Sequence, residues 1–332
     1  MRAVRRIVVI VLPAALACNS IVGFDDFQKV SDVRSKEPDA TEDESDAGRT
    51  KGRDADAPSP DGSALPSSCD PTKPFGQPVA LAGPVNSSAF ELAPSLMNDE
   101  LTMVFQRTVG FEGGSVLVAT RSSVDEPFGD PTELTVLSQG LDGVQQPTMT
   151  GDGLLVFFAG MLGPNSGIYT ASRASPKAAF GNRRAFVEVN SSASESFPGL
   201  TVDGTELWLS IQNDVGKPRH LFRSVRDNLG QYGAAVLVNE LASASSEAGV
   251  AFSTDGLTIY FGSERAGGKG DSDIWTARRA TMTAAFGPAT PVAELNTGSA
   301  EYPGWLSPDS CRLYFGSDRQ GGGDILVATR KP

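Results

Sequence analysis

Four glutamates each stand eight residues ahead of an aspartate: Glu91, Glu195, Glu247 and Glu301 precede Asp99, Asp203, Asp255 and Asp309. Val144, eight residues before Asp152, fills the fifth place in the series. Carboxylates gathered at one place raise one another's pKa or recruit a cation. Two that titrate apart can act as acid and base in glycoside hydrolysis. A ring of carboxylate oxygens also suits Ca²⁺, and Glu195 is the place for one; no other cofactor is expected. The plainer role is ion pairing, since Arg265 and Arg319 follow Glu247 and Glu301 at one spacing, and such networks commonly account for clustered carboxylates. Glu195 has no Arg in the matching place, which makes it the functional candidate. A second series reads Ser115, Gly167, His220, Asp273 and Asp324. His220, the single His of the chain, takes the place of an Asp there, although a lone surface His is usually inert. No nucleophile elbow, phosphate loop or His-based metal motif occurs, so no catalytic residue is assigned.

These residues keep their spacing because the chain repeats. The turn aspartates Asp99, Asp152, Asp203, Asp255 and Asp309 are 53, 51, 52 and 54 residues apart. An aromatic followed by Gly recurs with the same period at Phe75, Phe128, Phe180, Tyr232 and Phe286. An Arg closing an apolar run does so at Arg121, Arg173, Arg226, Arg279 and Arg330. Three markers on one period of this length indicate a solenoid, propeller or array. Within the fourth repeat, Glu247 to Ser253 leads to a Thr-Asp-Gly turn, then Leu257 to Ser263, a Gly-rich loop, Asp273 to Arg279, and a short last strand through Val292 to Leu295. Four short strands with tight turns and no helical period make a four-stranded antiparallel blade. Repeated radially, such blades form an all-β five-bladed propeller. What recurs in every blade builds the blade, so the turn Asp and closing Arg are structural. Trp208, Trp275 and Trp305 lie in or beside strands and are expected to pack the core.

The strings FGSERAGGKGDSDIW and FGSDRQGGGDIL in repeats four and five resemble the WD-repeat-like units of TolB-type propellers of bacterial envelope proteins. That resemblance covers residues 71–332. It implies that the strand before the Asp turn is innermost and the one after the aromatic-Gly marker outermost. The chain then starts with an outer strand at about Gln77 to Ala82 and ends with a third strand from Asp324 to Arg330. The first strand completes the last blade in a 3+1 closure. Cys69 precedes the closing strand and Cys311 follows the last Asp turn, so a Cys69–Cys311 disulfide is expected to staple the ring, as an exported protein permits. In this order the glutamates ring one mouth of the central channel. With His220, Arg265, Asp273, Arg319 and Asp324 they make the candidate binding face.

Ahead of the repeats lie two other segments. Residues 1–17 carry Arg2, Arg5 and Arg6, an apolar run from Ile7 to Leu12, and Ala15-Leu16-Ala17 before Cys18. This is the layout of an export signal, and the box resembles that of bacterial lipoproteins, which implies lipidation of Cys18. Asn19 in the following position leans toward the outer membrane by the same resemblance. Residues 18–70 are rich in Asp, Glu, Ser and Pro and read as a flexible acidic tether. Removing the leader with its three Arg takes the net charge from −12 to −15. That charge argues against nucleic acid and against anionic lipid, leaving the lipid anchor as the contact with the membrane. The expected protein is a monomeric, envelope-anchored propeller that binds a protein or glycan without catalysis. A carboxylate-dependent glycosidase is the alternative.

Overall fold

The structure, a computed structural model, describes residues 69–109, 113–162 and 165–332. The expected signal segment, Cys18 and nearly all of the tether lie outside the described residues. No described helix is long and apolar enough to cross a membrane.

Twenty strands form five antiparallel four-stranded sheets. The chain enters through β1 (Val79–Ala80) and then builds blade 1 from β2 (Phe90–Leu96), β3 (Thr102–Thr108), β4 (Ser115–Thr120) and β5 (Thr132–Glu133). Blade 2 holds β6 (Gly143–Met149), β7 (Leu155–Leu162), β8 (Asn165–Ser172) and β9 (Gly181–Ala185). Blade 3 is β10 (Ser194–Leu200), β11 (Glu206–Gln212), β12 (His220–Val225) and β13 (Val236–Leu237). Blade 4 is β14 (Glu247–Phe252), β15 (Thr258–Ser263), β16 (Asp273–Arg278) and β17 (Thr290–Pro291). Blade 5 has β18 (Glu301–Leu306), β19 (Arg312–Ser317) and β20 (Asp324–Thr329), and β1 supplies its outer strand. The five-bladed ring and its 3+1 closure are therefore as the repeat predicts. Four of the five outer strands are only two residues long, shorter than expected. In repeat four, Val292 and Leu295 instead turn inward and are buried, with Val292 N–H still donating to Ile274 O.

The apolar core divides into five layers, one between each pair of neighbouring blades. This follows from strand alternation, because each blade offers apolar side chains to both neighbours and only strand edges to solvent. Two of the repeat markers turn out to be one contact. Arg121, Arg173, Arg279 and Arg330 each place the guanidinium 4.2–4.8 Å from the ring of the aromatic-Gly residue, on Phe128, Phe180, Phe286 and Phe75. The same arginines reach the preceding blade: Arg121 donates to Tyr314 Oη, Arg279 to Glu206 and Arg330 to Tyr260 Oη. The turn aspartates are structural as expected, each accepting the N–H two residues on, at Leu101, Leu154, Thr205, Leu257 and Cys311.

Closure is reinforced at the seam. Cys69 and Cys311 form the expected disulfide, with Cα atoms 5.9 Å apart across 242 residues. Phe75 bridges Arg330, and Asp70 N–H donates to Lys331 O. On the blade 5 to blade 1 side, buried Glu100 takes Nε and Nη2 of Arg312 at 2.8 and 2.5 Å and Tyr314 Oη at 3.0 Å.

Candidate functional site

The four glutamates come to equivalent places, all at or next to the start of an inner strand, and all at most 1% exposed. They do not line an open mouth but are buried where blades meet. Each is held by a hydroxyl four residues upstream: Ser87, Ser191, Ser243 and Thr297 donate to Glu91, Glu195, Glu247 and Glu301 at 2.5–2.6 Å. Three also face a cation. Arg265 Nη2 and Arg319 Nη2 reach Glu247 and Glu301 at 3.1 and 2.9 Å, as the spacing predicts. Arg107 Nε, directly opposite Glu91 in β3, lies 2.6 Å from its carboxylate. Sequence reasoning missed this third pair because Arg107 comes two residues earlier in its strand than Arg265 and Arg319 do in theirs. Among the described residues, Glu195 alone of the four has no cation on it. Burial pushes its carboxyl above the usual range, and the two hydrogen bonds from Ser191 only partly offset this.

The second series completes these junctions. Backbone bonds from Glu91 N to Gly323 O, Glu247 N to Arg219 O and Glu301 N to Ser272 O set Asp324, His220 and Asp273 beside the next blade's glutamate. His220 Nδ1 is 2.8 Å from Glu247 Oε2, and the imidazole keeps about a quarter of its surface exposed. In blade 3, Glu195, Ile211 and His220 share one row across three strands. Asp324 is half-buried, and burial, followed by the charge of Glu91, pushes its carboxyl up. Asp273 is buried, with Oδ2 accepting the N–H groups of Lys269 and Gly270. A Cβ on Gly268 would lie 1.9 Å from that oxygen, so the loop requires Gly there. No group of three His, Cys, Asp or Glu side chains suited to a metal gathers among the described residues.

What sequence reading missed lies on the channel axis. Every inner strand has a bulge just after the glutamate position. In blades 1 to 4 the bulged residue is left-handed: Ala93, Gln146, Phe197 and Gly249, with φ of 52°, 52°, 48° and 69°. The bulge re-aims the side chain. Phe197 thereby stacks on Tyr302 of blade 5, with ring centroids 5.8 Å apart and planes at 26°. Gly249 of the intervening blade leaves the space for this meeting, since a Cβ there would sit 3.7 Å from Phe197 Cδ1 and 3.1 Å from Pro303 O. Gln146 Oε1 accepts the Phe197 N–H at 3.0 Å, and Gln106 Oε1 accepts that of Gln146. Toward the Asp-turn end, the far ends of the inner strands of blades 2 to 5 enclose a cavity of about 40 Å³, lined by Thr148, Thr201, Phe252 and Trp305 among others. It has room for water but not for a sugar, and no carboxylate lines it.

No family model and no curated protein matches the chain. Solved structures do. The chain is similar to a protein described as TolB from Agrobacterium tumefaciens, with 17% identity over 70% of this chain and 71% of that one, at a TM-score of 0.44. It is similar to a thermostable family-43 glycoside hydrolase at TM-score 0.52, with 14% identity over 75% of this chain and 91% of that one. A protein described as a glycoside hydrolase from Parabacteroides distasonis also gives 0.52, with 11% identity over 82% of this chain and 96% of that one. The two likenesses at 0.52 show the fold. They also correct an expectation: the missing catalytic motifs point to a non-catalytic scaffold, whereas the two of these structures with the higher TM-scores are described as glycoside hydrolases.

Proposed function

We propose that the chain is a carbohydrate-active enzyme that cleaves glycosidic bonds with carboxylate chemistry, and that Glu195 is its acid. The observation that carries this is Glu195 itself. Its three counterparts are each neutralised by an Arg, whereas burial without a cation favours its protonated form. A carboxyl whose protonated form is favoured is what a leaving glycosidic oxygen needs. Ser191 covers the Glu195 carboxyl from an exposed position, and in this reading a substrate oxygen takes over from its hydroxyl.

The proton acceptor in this reading is His220, held by Glu247. With Nδ1–H bound to Glu247 Oε2, Nε2 can take a proton from an attacking water. Two strand spacings separate Glu195 from His220 along their shared row, with Ile211 between them and roughly 10 Å between backbones, a separation of the order that an inverting acid and base keep. The C–O bond breaks as Glu195 gives its proton to the departing oxygen, and the water oxygen forms the new bond. Hydrolysis of a panel of glycans and aryl glycosides tests the proposal. Turnover should fall at least about 10²-fold in Glu195→Gln. Absence of turnover on every glycan, or full activity in that variant, would overturn it.

The leader and Cys18 support a place in the cell envelope through a lipid on Cys18, with the tether carrying the propeller. Mass analysis of the mature N-terminus checks this: a diacylated or triacylated Cys18 is expected, and an unmodified one refutes the anchor.

A further inference from the structure

We infer that Phe197 and Tyr302 form a sugar-binding platform at the channel axis, selective for uncharged or amino-bearing sugar rings over uronates. The inference rests on the glycan reading above and adds a binding site and a ligand class to it. The first support is conformational. A left-handed φ is rare and costly for an aromatic residue, of order 1–3 kcal/mol. Blade 4 makes the same bulge with Gly249, which adopts it freely. The bulge therefore does not require Phe at 197, and the side chain is kept for what it does on the axis.

The second support is the chemistry that the bulge collects. Phe197 and Tyr302 are both only half-buried, so part of the stacked pair is open to solvent. Aromatic faces pack against the C–H faces of sugars, while nearby polar groups take the hydroxyls. Gln146 supplies such a group: its Oε1 is held by the Phe197 N–H, and its Nε2 has no protein partner among the described residues. Tyr302 brings a hydroxyl, and Tyr302 Cδ1 lies 3.2 Å from where a Cβ on Gly262 would be, so Gly262 leaves room for the ring. The exposed carboxylates of Glu264, Asp271 and Asp318 act on Tyr302. They favour an ammonium group and repel a carboxylate on the bound sugar.

Phe197→Gly is the informative variant, because it removes the ring and leaves the bulge in the form blade 4 already uses. Binding is measured by calorimetry on the Glu195→Gln protein, so that the outcome does not depend on turnover. The probes are neutral gluco-, xylo- and arabino-oligosaccharides, a glucosamine trimer and trigalacturonate. At least one neutral or amino-sugar probe should bind and trigalacturonate should not. Phe197→Gly should weaken that binding about tenfold or more and melt no lower than the parent. Unchanged affinity in Phe197→Gly, equal binding of trigalacturonate, or no binding of any probe would overturn the platform. If binding behaves as expected while no glycan is turned over, the platform stands and the catalytic reading fails.

Discussion

A buried glutamate with a hydroxyl on it can hold either a proton or a counter-ion, and this chain has both cases at equivalent positions. Glu91, Glu247 and Glu301 face arginines and Glu195 does not, so replacing Glu195 by Gln should act oppositely to replacing the others. A carboxyl whose folded pKa lies above its unfolded value of 4.5 contributes fully below that value and loses its contribution as pH rises through the folded pKa. Glu195→Gln should therefore melt progressively higher than the parent as pH rises above about 4.5, with no gain below it; thermal melts between pH 4 and 8 check this. The turn aspartates behave in the opposite sense. Burial raises Asp203, Asp255 and Asp309, but hydrogen bonds from Thr201, Ser253 and Ser307 and from the turn amides outweigh it and hold them below 3.8. Their stabilisation is present above the unfolded value and is lost as pH falls below about 3.8, so acid unfolding should begin there.

Among the elements, the inner strands carry the largest demands. Four of the five must place a carboxylate where blades meet, bulge, and then resume pairing within four residues. Gly249→Ala puts a Cβ into a φ of 69° and to within 3.1 Å of Pro303 O, and should cost about 1–2 kcal/mol in urea unfolding. The closing arginines of blades 1, 2, 4 and 5 tie each of those blades to the one before. Arg279, only 4% exposed, makes two bonds to Glu206 and one each to Gly256 O and Met282 O. Arg279→Ala leaves Glu206 buried with Arg223 and Trp208 Nε1 alone and should destabilise by about 3 kcal/mol, at the lower end for a broken buried pair.

The whole ring depends on its seam, because a propeller with an unclosed last blade exposes an apolar layer. Here the seam is held by β1, by the Arg330–Phe75 contact, by Glu100 with Arg312, and by the disulfide. Burial and then the charge of Glu100 push the Tyr314 hydroxyl up to about 12, so this hydroxyl keeps its proton through the neutral range. Cross-linking residues 242 apart removes much of the unfolded chain's freedom, an effect of about 5 kcal/mol at the upper limit of the chain-entropy estimate. The Cys69→Ser, Cys311→Ser double variant should fold to the same ring but unfold at lower urea. Equal midpoints for the two proteins would show that β1 and the ion pairs hold the seam alone.

Much of this was legible in the residues. The period and its three markers specify four-stranded blades, their number and their closure, because each marker answers a local demand: an Asp caps a turn, an Arg covers an aromatic, and alternation sets two buried faces. Two of the three arginine pairs on the glutamates followed from spacing within one hairpin. What the order of residues did not show is everything made between blades. That Arg279 belongs to Phe286 in its own blade and to Glu206 in the one before, that His220 rests on the next blade's Glu247, and that Glu100 takes Arg312 across the seam all depend on how flat sheets are set around an axis. The Phe197–Tyr302 stack joins blades 3 and 5 over a glycine in blade 4, and its signal was present only as an aromatic after Glu195 with nothing local to explain it. Sequence alone determined the propeller, because blade geometry is local and repeats. Tertiary structure alone decided which blades share a buried ion pair and which rings meet on the axis, because those depend on contacts between residues about 70 to 210 positions apart.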